Sequence, residues 1–317
     1  MADLSKLERD LAALERDSTL HDSDYLAARF EALKALDFLG EAYQVQAGHP
    51  SAACGLRRVR ALQGDLMELN QALYRKLRFG IRTGTVTPSQ LRWLLESNCR
   101  YRRGDTACMH WGGDAADALA AGLFRSDCPP QEWDGGDSEM IHYESTPVSA
   151  VLELVDRVPM TCADRFVDIG SGLGQVVLLL HLLAGVEAMG MEVVPAYVER
   201  ARGEANRLGI EGVSFKVGDA RSADLCGGTV YFLFSPFRGQ MLQTVLNRLR
   251  HEACTRLLTI CSFGPCTERI AGESWLTLKE TGMNHEFRLA IFQSEGQGPR
   301  RKKASPREYP RADAFCS

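Results

Sequence analysis

The stretch RFVDIGSGLGQ at 165–175 limits what this chain can fold into more than any other. Phe166, Val167 and Ile169 are apolar and strand-prone, and an apolar run over 176–183 reads as a helix. Between them Gly170, Ser171, Gly172 and Gly174 must turn the backbone sharply. Glycine has no Cβ and takes positive φ at little cost, so a ligand can approach bare backbone there. The helix that follows aims unpaired N–H groups at whatever lies above the turn. Strand, glycine turn and helix together predict an open α/β sheet with a ligand at the carboxyl ends of its strands.

Spacing narrows the ligand. A G-x-G-x-x-G dinucleotide fingerprint begun at Gly170 needs a glycine or alanine at 175, where this chain has Gln175. The register that fits is D-x-G-x-G-x-G, from Asp168 through Gly170 and Gly172 to Gly174. It resembles the first motif of class I S-adenosylmethionine-dependent methyltransferases. A second strand over 186–191 places Glu192 at its end, where a carboxylate can accept bonds from both ribose hydroxyls of either cofactor. A third, over 213–217, runs into Gly218, Asp219 and Ala220, and Asp219 resembles the family's acidic residue for the adenine amino group. A fourth, over 229–234, ends in Ser235, Pro236 and Phe237, where that superfamily keeps a substrate-facing motif.

Upstream, Thr146 and Pro147 predict a helix start, with the threonine as cap and the proline as first helical residue. The pattern Y-x-x-T at 143–146, a short helix, and V-D-I-G-S-G-x-G-Q-V-V at 167–177 resembles the lysine methyltransferases of the disruptor-of-telomeric-silencing type and their mitochondrial and bacterial relatives. The likeness spans roughly residues 140–265. It implies a Rossmann-like α/β fold, a seven-strand sheet with helices on both faces, and S-adenosyl-L-methionine as cofactor. By the same resemblance Tyr143, Ser145, Thr146, Asp168, Gly170, Ser171, Gly172, Gly174, Gln175, Glu192, Gly218, Asp219, Ala220 and Ser235 hold the cofactor, and Tyr143, Ser235 and Phe237 face the reaction.

The acceptor stays open between a protein lysine and a small molecule. Nitrogen methyltransferases often offer Asn or Asp in the fourth motif, whereas this chain has Phe234, Ser235, Pro236 and Phe237. His142, Tyr143 and Glu144 are candidates for substrate contact or proton removal. The same departure leaves room for a module that binds the cofactor without turnover. A nicotinamide oxidoreductase is a third reading and conflicts with Gln175.

A chain of 317 residues predicts more than one unit. Residues 1–135 are expected to form a helical domain, 136–295 the methyltransferase domain, and 296–317 a disordered basic tail. Leu4, Leu7, Leu11 and Leu14, then Leu26, Phe30, Leu33 and Leu36, then Leu56, Val59, Leu66, Leu69 and Leu73 recur at helical spacing. Thr87, Pro88 and Gln90 form a helix start of the capping-box kind, and Asp114 predicts another cap. Trp275 to Lys279 and Phe287 to Gln293 alternate as the closing antiparallel pair should.

The net charge of −4 gives no bulk attraction to nucleic acid, and neither nucleic acid nor a membrane is an expected partner. Basic residues do gather locally, at Arg57, Arg58 and Arg60, at Arg75, Lys76, Arg78 and Arg82, and at Arg100, Arg102 and Arg103. No apolar stretch reaches the ~20 residues of a membrane helix. Ten cysteines lack the paired C-x-x-C spacing of zinc knuckles, so free thiols, no metal and a cytoplasmic chain are expected. Cys108 and His110 are read as structural, and Cys226, Cys254 and Cys261 as small buried hydrophobes.

Overall fold

The glycine turn stands where the strand order of a seven-stranded sheet reverses. The computed structural model describes residues 4–22, 25–46, 48–103, 112–126, 130, 137–225, 227–281 and 288–295. Cys108, His110, Cys226, most of the turn-rich stretch 128–137 and the basic tail lie outside them.

Five helices come first among the described residues: α1 (Leu4–Arg16), α2 (Leu26–Val45), α3 (Pro50–Arg82), α4 (Pro88–Ser97) and α5 (Ala115–Phe124). The remainder alternates as α6 (Val148–Arg157), β1 (Arg165–Ile169), α7 (Gln175–Ala184), β2 (Glu187–Glu192), α8 (Pro195–Leu208), β3 (Val213–Val217), β4 (Val230–Phe234), α9 (Gly239–Ala253), β5 (Thr259–Phe263), α10 (Cys266–Ala271), β6 (Leu276–Thr281) and β7 (Ala290–Ser294). The sheet order is β3-β2-β1-β4-β5-β7-β6. The neighbouring pairs from β3 to β5 run parallel, and β7 lies antiparallel to both β5 and β6.

Alternate residues of each strand serve two cores. Phe166 of β1 and Phe232 of β4 pack with α6, α7 and α8, while Val167, Ile169, Tyr231 and Leu233 pack with α9 and α10. Strands covered on both faces read as continuous apolar runs, and α7 is apolar nearly all round because it is covered on every side. The first core does not stop at residue 135: Tyr74 and Leu77 of α3, Leu91 and Leu95 of α4, and most of α5 belong to it. A separate core of α1, α2 and the first half of α3 holds Leu11, Leu36, Val59 and Leu66.

The predicted capping box at Thr87 forms, and the predicted cap at Asp114 forms as a capping box with Asp117. The Thr87 hydroxyl accepts from Gln90 N at 3.2 Å, and Asp114 accepts from Asp117 N at 3.1 Å. The entrance to α6 differs from expectation. Pro147 is its N-cap residue and Val148 its first turn, with no cap from Thr146. Asp117 of α5 supplies that bond instead, accepting from Val148 N at 2.7 Å. The fifth strand starts only at Thr259, because Cys254 and Thr255 still complete the end of α9 through bonds to His251 O and Glu252 O. Cys261 is buried as expected, but Cys254 is exposed at that helix end.

Candidate active site

Three glycines at positive φ, Gly170 (81°), Gly172 (50°) and Gly174 (80°), carry the chain from β1 into α7. Gly170 N and Ser171 N both donate to Met191 O, at 2.8 and 3.0 Å, which ties the loop to the end of β2. A Cβ on Gly172 would stand 2.2 Å from the Tyr143 ring, and one on Gly170 would stand 2.4 Å from Pro236. The loop therefore lies between the 143–147 segment on one side and the β4 exit on the other, with no room for side chains.

Two buried carboxylates face this loop. Glu192, 8% exposed, accepts from Gly172 N at 2.9 Å through one oxygen and from Val193 N and Val194 N at 2.8 and 3.0 Å through the other. Asp168, 3% exposed, finds no hydrogen-bond donor among the described residues. Burial, reinforced by the nearby Glu192 charge, pushes its carboxyl up to about 8. The buried Ser171 hydroxyl has no hydrogen-bond partner among the described residues either, and it points at Gly190 beneath the loop. An acid left without a donor next to a second acid is suited to a cationic ligand.

Tyr143 roofs the loop. Its ring meets Tyr197 edge-on at 5.5 Å between centroids, over Leu173 and Val194. Burial raises its phenol above the ordinary value. Ser145 is exposed and lies 3.5 Å from the Tyr143 hydroxyl, while Thr146 is buried. The segment is anchored at several points. Gln175 Nε2 donates to Thr146 O at 3.0 Å, Ile141 N to Pro236 O at 3.1 Å, and Arg238 N to Glu139 O at 2.9 Å. Glu139 caps α9, accepting from Gln240 N at 2.9 Å and Met241 N at 2.6 Å. Arg221 joins Asp137 (3.0 Å) to Asp219 (2.7 Å).

Several expected site residues have other occupations. Gln175 donates to Thr146 O and accepts from the Ser126 hydroxyl. Ser235, at φ 40°, donates its hydroxyl to Phe263 O at 3.1 Å and accepts from Cys266 N at 3.0 Å, so its hydroxyl fastens β4 to β5 and α10. Phe237 is buried among Met241, Leu242 and the α9 side of the core. Asp219 is gripped by Arg221, which holds its carboxyl below the usual range. Gly218 N donates to Glu192 O at 2.9 Å, which sets the β3 exit beside β2, and Ala220 is buried with its carbonyl on Arg248. His142 and Glu144 are exposed on the 141–145 segment.

Reasoning from sequence passed over Glu139, Arg221 and Tyr197. The first two act through bonds to residues about a hundred and about eighty positions away, respectively, which no local pattern announces. Tyr197 had a signal, being an aromatic in the first turn after the carboxylate-bearing strand.

Residues 161–226 match the family model described as a methyltransferase domain. No curated protein matches the chain. Among solved structures it is similar to an RNA methyltransferase from Salinibacter ruber in complex with S-adenosyl-L-homocysteine, at 22% identity, covering 51% of this chain and 100% of that one, with a TM-score of 0.38. It is also similar to TrmN from Thermus thermophilus, at 18% identity over 47% and 49% of the two chains with a TM-score of 0.37. A third is the tRNA (uracil-54, C5)-methyltransferase of Pyrococcus abyssi, at 16% identity, 48% and 39% coverage and a TM-score of 0.34, so this chain spans about two-fifths of that relative. The matched domain, the strand order and the glycine loop at its reversal point are those of the class I methyltransferase fold, whose cofactor is S-adenosylmethionine.

Proposed function

We propose that the chain transfers a methyl group from S-adenosylmethionine to a nucleophile on a protein, of the lysine type, or on a small molecule. The observation that carries this reading is Asp168, a buried acid with no donor among the described residues, beside a side-chain-free loop and a second acid. That set fits a ligand with an ammonium, a sulfonium and a ribose. The cofactor would supply an activated methyl carbon, which the acceptor's lone pair attacks in line as the carbon–sulfur bond breaks and S-adenosylhomocysteine leaves.

The protein's part is placement. Asp168 would hold the amino-acid end above Gly170 and Gly172, Glu192 the ribose, and the 218–220 turn with Asp219 the adenine, while Tyr143 closes the roof. Holding nucleophile and carbon collinear at near-attack distance supplies about 7–11 kcal/mol without a covalent step. The tethers from Gln175, Glu139 and Arg221 keep the roof segment in register with the sheet edge, and so serve that placement. A lysine acceptor must arrive neutral, which the partly buried roof favours by disfavouring the charged form.

The occupied Ser235 hydroxyl and buried Phe237 favour a second reading, a cofactor-binding module without turnover. Calorimetry with S-adenosylhomocysteine followed by transfer of labelled methyl to protein and metabolite panels separates the two. Binding with transfer supports the enzyme, binding without transfer supports the module, and no binding removes both.

A further inference from the structure

The sequence gathers cations at Lys76, Arg78 and Arg82, and the fold brings others to them from far along the chain. Arg78 of α3 lies 6.0 Å from the Tyr74 ring centroid and donates to the carbonyls of Leu123 and Gly122 at the end of α5. That brings it to Arg125, the left-handed residue that ends α5. Arg207, in the last turn of α8, stands close enough to both for their charges to act on it. Arg82 runs alongside Gly209, the residue that ends α8.

Like charges drawn from three elements repel one another unless something anionic meets them. Glu204 lies against Arg207 and offsets one of them. Even so, the Arg207 guanidinium is pushed down to about 10 by burial and by Arg125 and Arg78, and its buried Nε has no acceptor among the described residues. Among these cations Phe79 is 62% exposed, on the helix face that also carries Arg82. Guanidinium forks suit phosphate oxygens, and an exposed ring among cations suits a stacked base. An acidic protein segment would use the charges but not the ring.

The face also adjoins the site. Ser126, next to Arg125, touches Gln175, which begins the helix after the glycine loop. We infer that the face formed by α3, the end of α5 and the end of α8 binds single-stranded nucleic acid, with Lys76, Arg82, Arg125 and Arg207 on phosphates and Phe79 against a base. This goes beyond methyl transfer and does not depend on it, since binding is measured without turnover.

The test is fluorescence anisotropy of the full chain with a labelled single-stranded RNA, titrated at several salt concentrations. Each phosphate contact on a single strand adds about 0.7 to the slope of log affinity against log salt. Four contacts give a slope near about −2.8, an affinity loss of about 50-fold between about 50 and about 200 mM salt. Lys76→Gln with Arg82→Gln, both exposed, should halve the slope, leaving a loss of about 7-fold. Phe79→Ala should weaken binding by about ten-fold with the slope unchanged. Unchanged melting temperature and S-adenosylhomocysteine affinity would show that these variants remain folded. No binding at low salt, a slope indifferent to the double substitution, or equal binding and slope with a poly-glutamate peptide would each overturn the assignment.

Discussion

The Asp168 carboxyl offers the sharpest handle on the cofactor site, because its protonation and cofactor binding must be linked. Burial and Glu192 push it up to about 8, so near neutral pH the folded chain holds a proton there. A cationic ligand favours the carboxylate and expels that proton. Affinity should therefore rise with pH by up to ten-fold per unit below that value. The ligand's own amino group stays charged up to about 7.7–8.0. Between about pH 6 and about pH 7.5 the ionised fraction of Asp168 grows about 25-fold, and S-adenosylmethionine affinity should grow with it. Calorimetry in buffers of different ionisation heat should count about one proton released per cofactor bound near pH 6.5.

The same shift has a stability consequence of opposite sign. The unfolded chain gives up this proton near about 3.9, the folded one near 8, so the folded state binds more protons between those values. Stability contributed by the group is whole below the lower value and falls as pH rises through the window, by on the order of 4 kcal/mol at pH 7. Asp168→Asn keeps the shape and cannot ionise. It should raise the melting temperature near pH 7.5, leave it almost unchanged near pH 4, and abolish the pH dependence of cofactor affinity while weakening binding. An affinity flat from about pH 6 to about 7.5, or a melting-temperature gain of equal size at both pH values, would refute the reasoning.

Gly172→Val places carbon atoms where the Tyr143 ring lies, at a φ that β-branched residues avoid. It should abolish S-adenosylhomocysteine binding by calorimetry while far-ultraviolet circular dichroism still reports a folded chain. Gln175→Met removes the bond to Thr146 O and loosens the roof, so cofactor affinity should fall about five- to ten-fold with about 1 kcal/mol lost in urea unfolding. Ser235→Ala leaves Cys266 N–H buried without its acceptor, so urea unfolding should show a loss of about 1–3 kcal/mol with cofactor affinity little changed.

What the sequence made legible is what local chemistry decides. The apolar runs at β1 and β4, the glycine spacing after Asp168, the carboxylate ending β2 and the two capping boxes all follow from neighbours within a few residues. The helix entrance at Val148 escaped because its cap comes from Asp117, on another element. Phe237 had no local signal either: it lies past the end of β4 and past the left-handed Ser235, so the alternation of the strand does not reach it. Ser235 had none, since its partners Phe263 and Cys266 become neighbours only when β5 pairs with β4. The motif position was visible in the sequence, whereas the use of the hydroxyl depended on the sheet.

Two places in the fold gather charges of one sign, and neither is a local choice of the sequence. Asp168 and Glu192 end adjacent strands, and Arg78, Arg125 and Arg207 arrive from three helices. Sequences that specify a fold generally agree with it at every level, and departures concentrate where a ligand is met. In the acidic pair Glu192 accepts three backbone N–H bonds and keeps lone-pair capacity for a hydroxyl, while Asp168 has no donor among the described residues, which selects a small ligand that carries both a cation and a hydroxyl. In the basic group the charges spread along a helix face with an exposed ring among them, which selects an extended anion. Opposite signs on two neighbouring faces also keep the ligands from competing: phosphates are repelled from the glycine loop by its two acids, and a cationic cofactor is repelled from the arginines.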